Sequence, residues 1–191
     1  MKTTYSQHTS ASCLFGFTLL ELIVSISLIA TLVGIAAPSF ASMLARSQLR
    51  TQTHQLIESL YLARNHALTE QTIVHICQLN KESTTQCGTA YNSNRSWSHG
   101  WLVFADINGN NNFDADDRLI RALEMPDTIN IIFNQRGRLR FFPDGSSRSA
   151  GFYLCDREKQ LFRHIFILHT GRARVNEKLS ARQKSKCKNK A

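Results

Sequence analysis

The pattern of apolar and polar positions changes twice along the chain. Residues 17–37 are apolar or small, and Glu21 is the only charge among them. At about 1.5 Å rise per residue, such a run forms a helix of roughly 30 Å, enough to cross a bilayer core. After Pro38 the pattern becomes one-sided. Phe40, Met43, Leu44, Leu56, Ile57, Leu60, Ala63, Ala67 and Leu68 fall at helical spacings, with Arg46, Arg50, Glu58 and Arg64 between them. This predicts an amphipathic continuation of the same helix to about Glu70, bent rather than ended at Gly34 and Pro38. From Thr72 onward no second long helical period occurs. Short β-branched and aromatic runs at 73–79, 101–105, 119–123, 129–133, 139–142, 152–155 and 161–169 alternate with turn residues such as Asn108, Gly137, Gly145 and Gly171. They predict six or seven short strands.

One long helix followed only by strands defines an α+β layer arrangement, with the helix packed on an antiparallel sheet. The expected division is a leader at 1–16, a transmembrane helix at 17–38 and an amphipathic half-helix at 39–70. A β-rich head at 71–175 and a basic, partly disordered tail at 176–191 follow.

Charge sharpens this division. The chain carries a net +9, yet residues 171–191 alone hold eight cations (Arg172, Arg174, Lys178, Arg182, Lys184, Lys186, Lys188, Lys190) against the single acid Glu177. The head is close to neutral and the tail is the cation, which points to a polyanionic partner. Of the five cysteines, Cys13 falls in the leader, leaving Cys77, Cys87, Cys155 and Cys187. An even count outside the cytoplasm favours disulfides, and four cysteines allow three pairings. Pairing Cys77 with Cys87 closes a short polar loop; Cys155 with Cys187 then ties the tail to the head. Arg46, Arg50 and Arg64 follow the apolar run and Lys2 alone precedes it, so loop charge by itself argues for the reverse membrane orientation.

A mostly polar stretch ahead of the apolar run, ending in the junction G-F-T-L-L-E-L-I-V from Gly16, resembles the type IV prepilins and pseudopilins. An ordinary secretory signal carries its cleavage site after the apolar core, not before it. The resemblance implies cleavage between Gly16 and Phe17 by a prepilin peptidase and N-methylation of Phe17. It also implies pairing of Glu21 with the terminal amine of a neighbouring pilin during assembly. The implied location is the inner membrane, single-pass, with the head in the periplasm and then in a pilus at the cell surface. Further on, G-W-L-V-F-A-D-I-N-G-N from Gly100, F-N-Q-R-G-R-L from Phe133, F-Y-L-C from Phe152 and T-G-R-A-R from Thr170 resemble the FimT/GspH group of minor pilins. Members commonly place a cysteine directly after the last of these motifs, where this chain has Val175 and Asn176, with Cys187 beyond.

The tail motif carries the sharpest functional expectation. In a strand, Arg172 and Arg174 project to one side, preceded by a flexible Gly171, and two guanidiniums on one face suit phosphate contacts. In FimT-type proteins a G-R-x-R motif at this place is linked to DNA binding in natural transformation. The expectation is sequence-independent binding of double-stranded DNA by Gly171, Arg172, Arg174, Lys178, Arg182, Lys184, Lys186, Lys188 and Lys190, at roughly 10⁻⁴–10⁻⁶ M. The alternatives are a structural or priming minor pilin, or a GspH-like pseudopilin of a type II secretion system.

Other constellations carry less. A second G-R-x-R at Gly137 reads as a turn entering a strand. Residues 106–117 alternate oxygen-bearing side chains as a calcium loop does, but Asn111 and Asp117 stand where an EF-hand needs Gly and Glu, so an acidic hairpin is expected. His75 with Cys77 and Cys87, or His164 with His169, lacks metal-ligand spacing. No nucleophile–base set or paired carboxylates stand out, so neither catalysis nor a cofactor is expected.

Overall fold

The computed structural model describes residues 18–80, 83, 86–88, 95–97, 99–126, 128–156, 161–176 and 179–188. The chain divides into two compact units, Met1–Ala41 and Ser42–Ala191. A single helix, α1 (Leu19–Glu70), contributes to both, with Pro38 inside it. Its start is capped: Thr18 Oγ1 accepts the backbone N–H of Glu21 at 3.2 Å, the first half of a capping box. Glu21 also lies in the first turn, where the helix dipole favours a negative charge. In the first unit Leu19, Leu20, Ile23, Leu28, Leu32 and Ile35 are all exposed. This segment is long and apolar enough to span a membrane, and none of it is buried. Such a surface is costly in water and suited to lipid.

In the second unit α1 turns a narrow stripe inward: Leu49, Leu56, Leu60, Ala63 and Ala67. Eight strands among the described residues complete the unit. They are β1 (Ile73–Gln78), β2 (Gly100–Asp106), β3 (Arg118–Glu124), β4 (Ile129–Phe133), β5 (Leu139–Phe141), β6 (Ala150–Asp156), β7 (Leu161–Ile167) and β8 (Ala173–Asn176), followed by a short helix, α2 (Ala181–Lys188). They form two four-stranded sheets, ordered β3-β2-β1-β5 and β4-β6-β7-β8, antiparallel throughout. The inner faces of both sheets and the α1 stripe share one core, with Val74, Ile76, Trp101 and Phe141 from the first sheet and Ile131, Phe133, Phe152 and Ile165 from the second.

All seven expected runs are strands, but they do not make one sheet. β5 returns to pair with β1, while β4 pairs with β6, and this long-range choice splits the layer. The eighth strand, β8, falls in a stretch of alternating small, charged and polar residues that shows no apolar run. One hydrogen bond ties α1 to the first sheet, and a second within the helix orients its acceptor. The buried Trp101 Nε1–H donates to Ser59 Oγ at 2.9 Å, and Ser59 Oγ–H donates to the Gln55 carbonyl at 2.8 Å. Replacing Ser59 by Ala strands the indole N–H in a dry core, which costs about 1–3 kcal/mol. Urea unfolding of the Ser59→Ala protein, followed by tryptophan fluorescence, is expected to show a lower midpoint with an unchanged m-value; an unchanged midpoint would remove this bond from the stabilising set.

Candidate functional site

The C-terminal cations gather on the outer face of the second sheet. Side chains alternate across a strand, and Ala173 points into the core, so Arg172 and Arg174 on either side of it point outward; both are exposed. Arg174 pairs in register with Phe166 and Asn176 with His164. Phe166 in turn faces Gly151, His164 faces Tyr153 and Phe162 faces Cys155. These residues therefore share one face, and from it Cys155 forms a disulfide with Cys187. That bond places α2 on the same side as Arg174.

Residues 179–188, expected within a partly disordered tail, are folded here. Ser180 and Gln183 cap α2 reciprocally: the Ser180 N–H donates to Gln183 Oε1 at 2.9 Å and the Gln183 N–H to Ser180 Oγ at 3.4 Å. Cys187 is buried in a small cluster with Ile132, Tyr153 and Cys155, against which Leu179 and Phe162 pack. Gln183 Nε2 lies 3.5 Å from His164 Nδ1, and Lys186 Nζ lies 5.7 Å from the Tyr153 ring, a cation–π contact. His164 stacks on Tyr153 at 4.4 Å, and burial followed by the charge of Lys186 holds its pKa below the ordinary value. Arg182, Lys184 and Lys186 are exposed, and Lys188 ends the helix. Lys178 and Lys190 lie outside the described residues, as do Gly16 and Phe17.

Gly171 differs from its expected role. It is buried in a fixed turn with φ of 73°, its N–H donating to the Leu168 carbonyl at 2.9 Å. A Cβ there would sit 2.1 Å from the Gly145 carbonyl oxygen, so shape as well as backbone angle demands glycine. The Arg64 Nε–H donates to that same carbonyl at 3.1 Å, and the Tyr61 hydroxyl donates to the Ala173 carbonyl at 3.1 Å. Two α1 side chains thus hold β8 and the Gly145 carbonyl against which Gly171 packs. Neither contact, nor the Tyr153 seat for Lys186, is signalled by a local motif.

The remaining candidates occupy the other sheet. The second disulfide joins Cys77 and Cys87, and Cys77 clusters with Leu79, Leu102 and Phe104 on the outer face of the first sheet. Arg140 of the second G-R-x-R pairs in register with His75, and its Nη1 donates to Asn111 Oδ1 at 3.3 Å. That motif therefore lies on a different face from Arg174. In the 106–117 loop the carboxylates turn inward upon the backbone. Asp106 accepts the Gly109 and Asn111 N–H groups, at 2.9 and 3.0 Å, and Asp117 accepts those of Ile107 and Asp114. Among the described residues no group of His, Cys, Asp and Glu side chains is arranged to hold a metal.

His75 and Asp106 form a fully buried pair, with His75 Nε2 to Asp106 Oδ2 at 3.1 Å and the imidazole stacked on Phe104. Burial pushes the His75 pKa down to about 4, against the opposing pull of Asp106. The ring is thus neutral, Nε2–H donating to the carboxylate, while the Nδ1 lone pair meets no donor among the described residues. A folded pKa below the unfolded value means that the unfolded chain binds the extra proton. This contribution to stability is complete above about pH 6.5 and is lost as the pH falls towards about 4. Urea unfolding at pH 7.5 and 4.5 is expected to show lower stability at 4.5, and the His75→Gln protein a smaller difference; equal differences would assign the acid sensitivity elsewhere.

The α2 clamp gives a second test. An isolated eight-residue helix is unstable in water, so α2 depends on its tether. In the Cys155→Ser/Cys187→Ser protein, amide hydrogen exchange across 181–188 is expected to rise by at least tenfold while β6 and β7 keep their protection. Undiminished protection of α2 would show that packing alone holds it.

A long N-terminal helix laid on antiparallel sheets, with a disulfide-tied C-terminus, is the architecture of a pilin-like protein. The chain belongs to the family described as type II transport protein GspH, which matches residues 52–171. It also resembles the type IV minor pilin FimU of Pseudomonas aeruginosa strain PAO1 in two crystal forms. One aligns with a TM-score of 0.53 at 17% identity, covering 70% of this chain and 92% of that one. The other gives 0.50 at 17%, covering 66% and 91%. No curated protein sequence matches the chain. The family is a transport family and not one of enzymes. Its match ends at Gly171, so Arg172, Arg174 and α2 lie beyond it.

Proposed function

We propose that this chain is a minor pilin or pseudopilin whose C-terminal face binds double-stranded DNA without sequence preference, in support of DNA uptake. The carrying observation is the joint placement of Arg172, Arg174 and the α2 cations on one outer sheet face, tied there through Cys155 and Cys187. Phosphate contacts release condensed counterions, which makes such binding strong at low salt and blind to sequence. Among the described residues the one helix on this face, α2, is eight residues long and is held to the sheet through Cys187, which suits backbone contact rather than groove reading. The acid nearest in sequence, Glu177, is outnumbered. Binding at one such face is weak, and several subunits along a filament engaging one duplex raise it by avidity. In this reading a prepilin peptidase cuts between Gly16 and Phe17, Phe17 is methylated, and the apolar half of α1 anchors the chain in the inner membrane. Glu21 then pairs with a neighbouring subunit's terminal amine during assembly.

The family description favours a second reading, a structural pseudopilin of type II secretion or a priming subunit of a pilus, in which α2 docks on another pilin. Fold and processing are common to both readings; the polyanion separates them. The test is fluorescence anisotropy of labelled duplexes of unrelated sequence with the full chain in detergent micelles, across a salt series. Binding that falls steeply with salt, is equal between sequences, and is lost by more than tenfold in Arg172→Gln/Arg174→Gln supports the DNA reading. No binding at tens of micromolar protein at low salt leaves the structural reading.

A further inference from the structure

The two faces that carry the G-R-x-R motifs meet at one end of the head, where the β5–β6 connection folds back on β5. Phe141 bridges Ser147 in antiparallel register, and the Phe142 N–H donates to the Ser146 carbonyl at 3.0 Å, so Arg148 stands opposite Arg140. Phe141 and Ser147 are fully buried, which turns Arg140, Phe142 and Arg148 outward. The same segment reaches the second sheet: the Ser147 N–H donates to the His169 carbonyl at 2.9 Å, in the β7–β8 turn. Within that turn the Leu168 N–H donates to the Arg172 carbonyl at 3.0 Å, and His169 and Arg172 are exposed. Residues directly paired across adjacent strands stand about 4.5–5.5 Å apart. These backbone bonds therefore string Arg140, Arg148, Arg172 and Arg174 into one band around this end of the head.

We infer that Arg148 is a further phosphate contact, through which a duplex held at Arg172 and Arg174 extends across the β7–β8 turn towards the first sheet. The inference rests on the DNA reading above and extends it to a residue outside both G-R-x-R motifs. Residues 139–156 and 161–176 are all described; Arg148 is exposed, and among the described residues its guanidinium has no ion-pair or hydrogen-bond partner. An incoming phosphate can therefore take its planar fork of donors without breaking an existing bond. Arg140 beside it is already engaged, with Nη1 donating to Asn111 Oδ1 at 3.3 Å and the guanidinium 5.8 Å from the Phe142 ring. Both partners are neutral, so its charge still adds to the positive field at Arg148. Acids near this end are few. In residues 142–149 and 168–172 the one acid is Asp144. It is exposed and accepts the Ser146 N–H at 2.8 Å, and hydrogen bonds from Ser146 hold its pKa below the ordinary value, so it stays ionised. The end of α1 also approaches, Gln71 Nε2–H donating to the Pro143 carbonyl at 3.3 Å, but Glu70 there is engaged by Arg118 and His66. Asp144 thus opposes the band, and its removal tests the inference in the reverse direction.

The experiment measures duplex anisotropy with the full chain in micelles across a salt series. It compares wild type with Arg148→Gln, Arg148→Glu, Asp144→Asn, Arg172→Gln/Arg174→Gln and Arg121→Gln. Arg121 lies on β3, at the edge of the first sheet away from β5, and its replacement controls for net charge. Loss of one phosphate contact reduces the steepness of log K against log salt by about 0.9. Arg148→Gln is expected to show that drop with about fivefold weaker binding, and Arg148→Glu a larger loss. Asp144→Asn is expected to bind about twofold tighter with the slope unchanged, and Arg121→Gln to behave as wild type. An effect of Arg148→Gln no larger than that of Arg121→Gln, while Arg172→Gln/Arg174→Gln loses binding, would overturn the contact at Arg148 and leave the tail face standing. Unchanged binding by Asp144→Asn would likewise place the duplex away from this end. Failure of the wild-type chain to bind DNA would overturn both readings.

Discussion

The structure depends on burial of one narrow stripe of α1 against the inner faces of two sheets. That stripe ends in Ala63 and Ala67, both fully buried, where larger side chains would hold the sheets apart. Close approach puts polar groups of the helix within reach of the strands, and the buried ones must then find partners. Ser59 receives Trp101 on one side. Tyr61 reaches the Ala173 carbonyl of β8 and Arg64 the Gly145 carbonyl on the other. Thr53, also buried, returns its hydroxyl to the Leu49 carbonyl. The helix that begins as an exposed apolar rod thus ends as the element that aims the C-terminal arginines.

What could be read from the residues, and what could not, follows from how local each signal is. The apolar run, the amphipathic continuation to Glu70 and seven of the strands rest on periods of a few residues, and the structure forms them where those periods lie. The partition into two sheets rests on β5 choosing β1 across more than sixty residues, which no local pattern encodes. β8 is four residues long with a single core contact at Ala173, so its strand character comes from pairing with β7. α2 is stranger still, since its sequence is almost wholly polar and its apolar contacts reduce to Leu179 and Cys187. Arg172 and Arg174 were legible as a pair, and a Cys155–Cys187 tie was among the pairings the cysteines allowed; that residues 181–188 fold into a helix at that tie was not legible, because their sequence has almost no apolar period.

That disulfide acts against a local cost. Arg182 and Lys186 stand four apart in α2, and like charges at that spacing destabilise a helix by a few tenths of a kcal/mol. Packing them beside Arg174 adds further repulsion. Closing a loop of 32 residues contributes on the order of 3–4 kcal/mol in the chain-entropy account, enough to outweigh these terms. A chain that needed only a soluble end could leave these cations on an untethered tail, where repulsion relaxes. Holding them on a sheet face is favourable overall when an anion neutralises them, which is the physical ground for preferring a polyanion to a simple solubilising role.

The family match and the distinctive chemistry occupy different parts of the chain. Residues 52–171 carry the matched fold, and the apolar rod precedes them while the cationic face follows. The matched region supplies seven of the eight strands, most of the helix stripe and the Gly171 turn, all needed to build a pilin-like head whatever it binds. The cations at its margin change what that head attracts without altering its core, since Arg172 and Arg174 project away from Ala173. A fold can therefore serve secretion or a pilus with the same interior, and on the DNA reading proposed above the distinction lies in the charge at its last strand. By this logic the strand β8 is where a function would be gained at least structural cost: Arg174 on its outward side is exposed, and Tyr61 of α1 already holds the Ala173 carbonyl from within.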